Sequence, residues 1–330
     1  MVACGNNAAD RIKEQRLNLS APKSAQLNTP VTIQLNNAVD SLQLAGNYKY
    51  ALAADGKQLT LTLTHVGTHK LQLKGFVNGQ VKEATVSIVV ANNVAPQELT
   101  YEIVETLDHD ALSYTQGLEF LNNETLYESH GQYKQSGLKK LTFPGLRVSE
   151  KVKLNDNTFA EGITILNDTI FQLTWREKKC LLYDLDLNTI GELPLPLSEG
   201  WGICNDGSQL FASNGSTHLY RLNTKMQIYE SRKIYVGMQP LRQMNELEYV
   251  EGKIWANIYQ TNRIYRIDFE TGIADAYLDL SLLRLKLKSP NAEVLNGIAY
   301  LPQRDLFLVT GKYWDKSFLI KVKLPEQPNS

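Results

Sequence analysis

Charge of one sign is missing from this chain: 34 Lys and Arg stand against 35 Asp and Glu, a net of −1. That balance leaves no electrostatic footprint for nucleic acid and no basic helix for a membrane surface. No apolar run approaches the roughly 20 residues that a membrane-spanning helix needs. Cysteine is scarce, three in 330 residues, and none lies in a Cys-x-x-Cys or Cys/His grouping with metal-ligand spacing. An odd number cannot close a disulfide set. Cys180 and Cys204 follow apolar strand patterns and read as buried free thiols. Of the five histidines, His109 and His130 have no partner at ligand spacing and read as rim or surface residues.

What is present is an ordinary globular composition, 43% hydrophobic and 21% charged. A chain of 330 residues is long for one core, so two domains are expected. Residues 1–20 have weak patterning and read as a flexible leader. Within it, small residues precede Cys4 and a polar tether comes after, like the remnant of a bacterial lipoprotein cleavage site with Met1 replacing the signal peptide. A lipid anchor at Cys4 and a place in the bacterial cell envelope are the corresponding expectations. Residues 21–95 carry short alternating segments (VTIQL, YKYALA, LTLTLT, HKLQLKGF, ATVSIVVA) separated by Gly, Asn and Asp turns. Their spacing predicts a small immunoglobulin-like β-sandwich without the disulfide, joined by NNVAPQ to a second, larger domain.

From about residue 98 to 326 the chain repeats itself. QGLEFLNNETLYESHG, EGITILNDTIFQLTW, EGWGICNDGSQLFASNG, NELEYVEGKIWANIYQ and NGIAYLPQRDLFLVTGK each hold a strand, a turn and a second strand with an aliphatic–aromatic pair. That pair begins at residues 126, 170, 210, 254 and 306, a period of 40 to 52 residues. Third strands come next (CLLYDLD, HLYRLN, RIYRID), and four units have room for a fourth. Four-stranded units at this period predict an all-β fold, a five-bladed β-propeller. The last unit stops after FLIKVKL, and the unassigned strand YEIVETL (101–107) is expected to fill its open edge and close the ring.

In the hairpin Phe159–Trp175 the Asn-Asp turn sets the start of one strand beside the end of the other, so Glu161 and Trp175 reach one rim. The same argument gathers Tyr114, Gln116, Phe159, Trp201, Asn245, Glu246, Tyr259, Asn296 and Lys312 on that face. This is a ring of aromatics holding carboxylates, carboxamides and one amine, with no Ser–His pair, suited to a small polar group between apolar walls.

In chain order, the motifs YTQGL, YESHGQY, FAEGIT, QLTW, GWG, NELEY, WANIYQT, LNGIAY and VTGK resemble those of the plant- and bacterial-type glutaminyl cyclases, over about 100 to 323. The resemblance implies a five-bladed propeller acting as an acyltransferase that turns the N-terminal glutamine of peptides or proteins into pyroglutamate. Glu161 would shuttle the proton, and burial among rings should raise its pKa. Gln116, Asn245 and Lys312 would hold the carboxamide and its oxyanion, and Trp175, Trp201, Phe159, Tyr114 and Tyr259 would wall the site. Some relatives carry Trp at the position of Tyr259, and Phe is common at that of Tyr114. No cofactor is required, since the substrate's own amine is the nucleophile; a structural calcium held by channel carbonyls is compatible with such propellers. No nucleic-acid partner and a monomer are expected.

Glu246 and Asn296 read as structural as readily as functional, Trp255 as core, and Trp314 is unassigned. Two other functions compete. An envelope propeller could bind peptide termini or glycans without turnover. A metal-dependent lactonase-type hydrolase needs several carboxylates at the axis, where only Glu161 and Glu246 are on offer.

Overall fold

The computed structural model describes residues 16–93 and 95–324. Strands dominate, with one 3-10 helix, Ser281–Lys286. The chain divides into two compact units, Met1–Asn93 and Val94–Ser330.

The first unit holds two four-stranded sheets. One orders Leu19–Ser20, Pro30–Leu35, Gln58–Thr62 and Tyr50–Leu52; the other Ser24–Ala25, Gln80–Val90, Gly67–Val77 and Ser41–Leu44. Burial alternates with the period of two that a half-buried strand requires: Val31, Ile33 and Leu35 are buried while their neighbours are exposed. Leu71 and Leu73 repeat the pattern. Gly67–Val77 and Gln80–Val90 join through Asn78 and Gly79, both left-handed (φ 49° and 76°), the geometry of a tight two-residue hairpin turn. The leader is shorter than the sequence suggests. Leu17 is buried and its N–H bonds the Glu83 carbonyl at 2.9 Å, and Leu19 and Ser20 pair with Leu35 and Gln34. Weak patterning hid a segment that gains its place from a single buried leucine and backbone pairing. Residues 1–15, including the anchor expected at Cys4, lie outside the described residues.

The second unit is built from successive antiparallel sheets. Thr115–Asn122, Thr125–His130, Gly137–Thr142 and Arg147–Lys153 form the first antiparallel sheet. The second runs Ala160–Leu166, Thr169–Thr174, Lys179–Tyr183, Thr189–Pro194, and the third Ile203–Asn205, Leu210–Ser213, His218–Leu222, Ile228–Lys233. The fourth comprises Met244–Val250, Lys253–Ile258, Arg263–Asp268 and Ile273–Asp279. In the fifth, Leu295–Leu301, Leu306–Gly311 and Lys316–Lys323 are completed by the long strand Gln97–Asp108. That strand pairs antiparallel from Lys316↔Asp108 to Lys323↔Thr100, so the start of the unit fills the edge left at its end. Its first residues also run parallel to Ala276–Leu278, joining the fourth and fifth sheets.

The first strands of successive sheets are neighbours, and the fifth neighbours the first, which closes a propeller-like cycle. Backbone approach sets the sequence at this crossing. A Cβ on Gly117 would meet the Ile163 nitrogen at 2.6 Å, one on Gly162 the Gly202 Cα at 2.8 Å, and one on Gly202 the Asn245 carbonyl oxygen at 2.0 Å. These glycines are the recurring Gly of QGL, EGI and WGI; nothing larger fits between adjacent strands. The aliphatic–aromatic pair fills the space between sheets. Trp255 of the fourth tilts against Phe307 of the fifth at 4.9 Å, and Phe211 of the third stacks on Tyr249 of the fourth at 5.7 Å. Trp255 is therefore core, as read. Cys180 and Cys204 are buried free thiols.

Candidate functional site

Four of the five first strands begin with an irregularity. The pairing register slips between Thr115 and Gly117, Ala160 and Ile163, Met244 and Leu247, and Leu295 and Ile298. A bulge of this kind leaves residues unpaired and re-aims their side chains. The residues it frees are Gln116, Glu161, Asn245 and Asn296, each one position before the crowded glycine or its counterpart. Trp201 holds the equivalent place in the third sheet, where pairing starts only at Ile203. From the other strand of each hairpin, the residues just past Thr174, Ile258 and Gly311 supply Trp175, Tyr259 and Lys312.

All of these but Asn296 meet in one cavity of about 220 Å³ lined by Tyr114, Gln116, Gln132, Phe159, Glu161, Trp175, Trp201, Asn245, Tyr259 and Lys312. Nine of the eleven residues that the sequence gathers at the rim lie there, with Gln132 in addition. Gln132 was missed although the rule that gave Trp175, Tyr259 and Lys312 applies to it. The second strand of the first sheet ends at His130, and Gln132 lies just beyond in a left-handed turn (φ 89°). Glu246 and Asn296 do not line the cavity. Glu246 is buried, accepting a bond from the Leu118 N–H at 3.3 Å, with its second carboxylate oxygen unpartnered among the described residues.

The walls are interlocked rings. Phe159 lies 5.5 Å from Trp175 and edge-on to Tyr114 at 6.1 Å, and Trp201 is edge-on to Tyr259 at 5.7 Å. The Arg176 guanidinium covers Trp175 at 3.7 Å and pairs with Glu199, which also accepts from the Trp201 indole N–H at 3.0 Å. One charged pair thus fixes both indoles.

The polar groups present a defined set of donors and acceptors. Asn296 donates its amide N–H groups to the Thr115 carbonyl at 3.0 Å and to Gln116 Oε1 at 3.1 Å. A backbone carbonyl only accepts, so the Asn296 amide orientation is fixed, and Gln116 must offer its oxygen there. Its NH2 group is left for the cavity. Asn245 Oδ1 is buried without a partner among the described residues, while the Asn245 backbone carbonyl is held by Ser213 Oγ at 2.8 Å. Lys312 Nζ lies 4.4 Å from the Tyr114 ring centroid and 5.3 Å from that of Tyr259, a cation over two aromatic faces. Burial pushes the Glu161 carboxyl well above the usual carboxylate range, against the pull of Lys312 and with help from Glu199 and Glu177. Burial likewise draws the Lys312 ammonium down to about 8, against Glu161 and Glu293. Desolvation outweighs mutual attraction on both sides.

Behind the Tyr114 wall lies a buried charge network. Glu128 accepts from Ser113 Oγ at 2.5 Å, Thr115 Oγ1 at 2.8 Å and His109 Nε2 at 3.2 Å, with Lys139 Nζ at 3.5 Å from its other oxygen. The other ring nitrogen of His109 faces the Trp314 carbonyl at 2.8 Å. Both nitrogens oppose acceptors, which requires the doubly protonated imidazolium. Burial works against that charge, but Glu128 and the Trp314 carbonyl outweigh it and hold the His109 pKa above its ordinary value. His109 is thus no rim or surface residue: its side chain is 3% exposed and it ties the segment carrying Tyr114 to the turn after Lys312. The sequence hid this because Glu128 and Trp314 are distant in the chain. Trp314, unassigned from the sequence, is fully buried and donates its indole N–H to the Glu293 carbonyl at 3.0 Å. His130 is half-buried, and burial lowers its pKa to about 4.

Among the described residues no group of three or more His, Cys, Asp or Glu side chains is placed to hold a metal ion. A channel calcium of the kind the resemblance suggests would be bound by backbone carbonyls.

Fold and site together define a propeller-like all-β protein that encloses an acid, an amine and side-chain amides between aromatic rings. Residues 76–322 match the family model described as glutamine cyclotransferase. A glutaminyl-peptide cyclotransferase of Arabidopsis thaliana is 34% identical over 227 residues, 67% of this chain and 71% of the relative. The crystal structure of Myxococcus xanthus glutaminyl cyclase superposes with a TM-score of 0.64 at 28% identity, covering 70% of this chain and 100% of that one. The chain belongs to the glutamine cyclotransferase family. The matched region starts at residue 76, inside the first unit, earlier than the sequence motifs indicated.

Proposed function

We propose that this protein is a glutaminyl-peptide cyclotransferase whose five sheets are the blades of a five-bladed β-propeller, preceded by an immunoglobulin-like sandwich. The reaction is a ring closure. The substrate's α-amine attacks its own γ-carboxamide carbon, forming a C–N bond; the C–NH2 bond then breaks, leaving a five-membered lactam and ammonia. Nucleophile and electrophile share one molecule, so confining the glutaminyl side chain in a folded geometry supplies a large part of the acceleration. Glu161 takes a proton from the attacking amine and returns it to the departing nitrogen, a transfer suited to a carboxyl whose pKa burial raises well above the usual carboxylate range. The Gln116 NH2 group and the Lys312 ammonium hold the carboxamide oxygen as it gains charge, and Asn245 Oδ1 accepts from an N–H of the substrate. Phe159, Trp175, Trp201, Tyr114 and Tyr259 exclude water around them. The observation that carries the reading is that one 220 Å³ cavity offers donors and acceptors complementary to an N-terminal glutamine.

The test is incubation with a Gln-initiated dipeptide, monitoring ammonia release and the loss of one NH3 in mass. Turnover that disappears in Glu161→Gln with the fold retained is the expected result. Binding of the dipeptide without ammonia at any pH would instead mark a capture module for peptide termini.

A further inference from the structure

The Tyr114 wall of the cavity continues into a second depression. Tyr114 packs edge-on against Tyr313, with centroids 5.2 Å apart, and Tyr313 borders a hollow of about 400 Å³ with Ala111, Leu112, Asn291 and Glu293. Tyr313 is held in the left-handed region (φ 59°), uncommon for so bulky a residue, and its N–H is fixed to the Ser113 carbonyl at 2.8 Å. Leu112 is 82% exposed, an apolar side chain presented to solvent at the edge of the hollow.

Glu293 is the unusual member. Its backbone is pinned on both sides, N–H to the Lys312 carbonyl at 2.8 Å and carbonyl to the Trp314 indole at 3.0 Å. Its carboxylate makes no hydrogen bond or ion pair among the described residues. Of the neighbouring charges, Arg176 pairs with Glu199, and Glu177 accepts from the Tyr133 hydroxyl at 3.2 Å while its other oxygen is buried and without a partner among the described residues. A rigid backbone therefore presents one free negative charge beside an aromatic ring and an exposed leucine.

We propose that this hollow is the subsite for the substrate residue next after the N-terminal glutamine, and that Glu293 selects a basic side chain there. The inference rests on the cyclotransferase reading. A glutaminyl head group fills the cavity, so the rest of the peptide leaves past its rim, and the Tyr114–Tyr313 pair joins that rim to the hollow. A Lys or Arg stem lies along Leu112 and Tyr313 while its charge reaches Glu293, as long cationic side chains do at apolar surfaces. Asn291 offers an amide to the peptide backbone.

The experiment compares kcat/KM for Gln-Lys, Gln-Leu and Gln-Glu dipeptide amides, with glutamine amide as a substrate lacking a second residue. It uses the full chain in wild-type, Glu293→Gln and Asn291→Lys forms. An exposed ion pair predicts that wild type favours Gln-Lys over Gln-Glu by about two- to five-fold, carried mainly by KM and eroded by salt. Glu293→Gln should bring the Lys:Glu ratio close to one, and Asn291→Lys should reverse it. Because Glu293 also acts on Lys312, a change common to all four substrates is not diagnostic; the ratio is. A wild-type ratio of one, an acidic preference, or a ratio that survives Glu293→Gln overturns the subsite. Failure to turn over any substrate, glutamine amide included, overturns the cyclotransferase reading itself.

Discussion

Glu161 and Lys312 line one cavity without forming an ion pair. Two buried opposite charges ordinarily close on each other, since separation in a low-dielectric interior is costly. Here Lys312 sits over the Tyr114 and Tyr259 rings, and Glu161 projects from a bulge in another sheet. An acid stands on one side of this gap and an amine on the other, and the proposed mechanism puts the carboxamide between them.

The pH profile is set by this separation. Glu161 must be ionised to accept a proton, and its pKa is raised, so the acid limb of kcat should lie above the ordinary carboxylate range of about 4.3. Lys312 must be charged to stabilise the oxyanion, and its pKa is drawn down to about 8, so activity should fall again on an alkaline limb near that value. Lys312→Arg keeps the charge at all accessible pH and should abolish the alkaline limb. Lys312→Met should cost on the order of 100-fold or more in kcat. An alkaline limb unchanged in Lys312→Arg would assign it to another group.

The His109–Glu128–Lys139 network predicts a stability loss coupled to the site. Removing the negative charge by Glu128→Gln leaves the His109 imidazolium buried without its counter-charge and Lys139 with Asp110 alone, at a cost of about 3–5 kcal/mol. For a unit of this size that lowers Tm by on the order of 10 °C. The His109 pKa is raised in the folded state, so its contribution is fully present below the ordinary histidine value and is lost as pH rises through the folded one. The penalty measured by thermal melts should therefore shrink toward alkaline pH. The Asp110 carboxylate, 3.0 Å from Lys139, remains to offset part of the charge. Melting that is unchanged at pH 6 would show the network to be energetically neutral.

Much of this was legible in the sequence because the fold is a repeat. The period of the aliphatic–aromatic pairs marks five hairpins, and hairpin geometry alone puts Glu161, Trp175 and Lys312 at one rim. Asn167 and Asp168, both left-handed (φ 52° and 57°), make the tight turn that the Asn-Asp pair suggested. What was not legible depends on long-range contact. Nothing local tells that Glu128 meets His109 and Trp314, or that Leu17 leaves the leader to join a core. The bulges were also invisible as such, although their trace, a polar residue before a Gly, recurs in QGL, EGI and NGI. Glu246 occupies the glycine position of the fourth repeat, which is why its role could not be settled from pattern: its carboxyl is buried against the Leu118 N–H and does not line the cavity.

The crowded glycines link packing to catalysis and give the last prediction. A Cβ at Gly162 would lie 2.8 Å from both the Gly202 Cα and the Trp201 carbonyl oxygen, atoms of backbone that cannot rotate aside. The Gly162 N–H also bonds that carbonyl at 2.7 Å. Gly162→Ala must therefore push the second first-strand from the third, an overpacking cost of about 1–3 kcal/mol. Glu161 precedes Gly162 on the same bulge, so the displacement moves the carboxyl, and a shift of about 1 Å in a positioned group can cost on the order of 100-fold in rate. The expected result is a modest fall in Tm with a large fall in kcat. Gly207→Ala is the control: Gly207 sits at φ 88° in a surface turn with nothing within 4 Å of its Cβ, so it strains the backbone locally and should leave kcat unchanged. Wild-type kcat in Gly162→Ala would mean that the contact between neighbouring first strands does not set the position of Glu161.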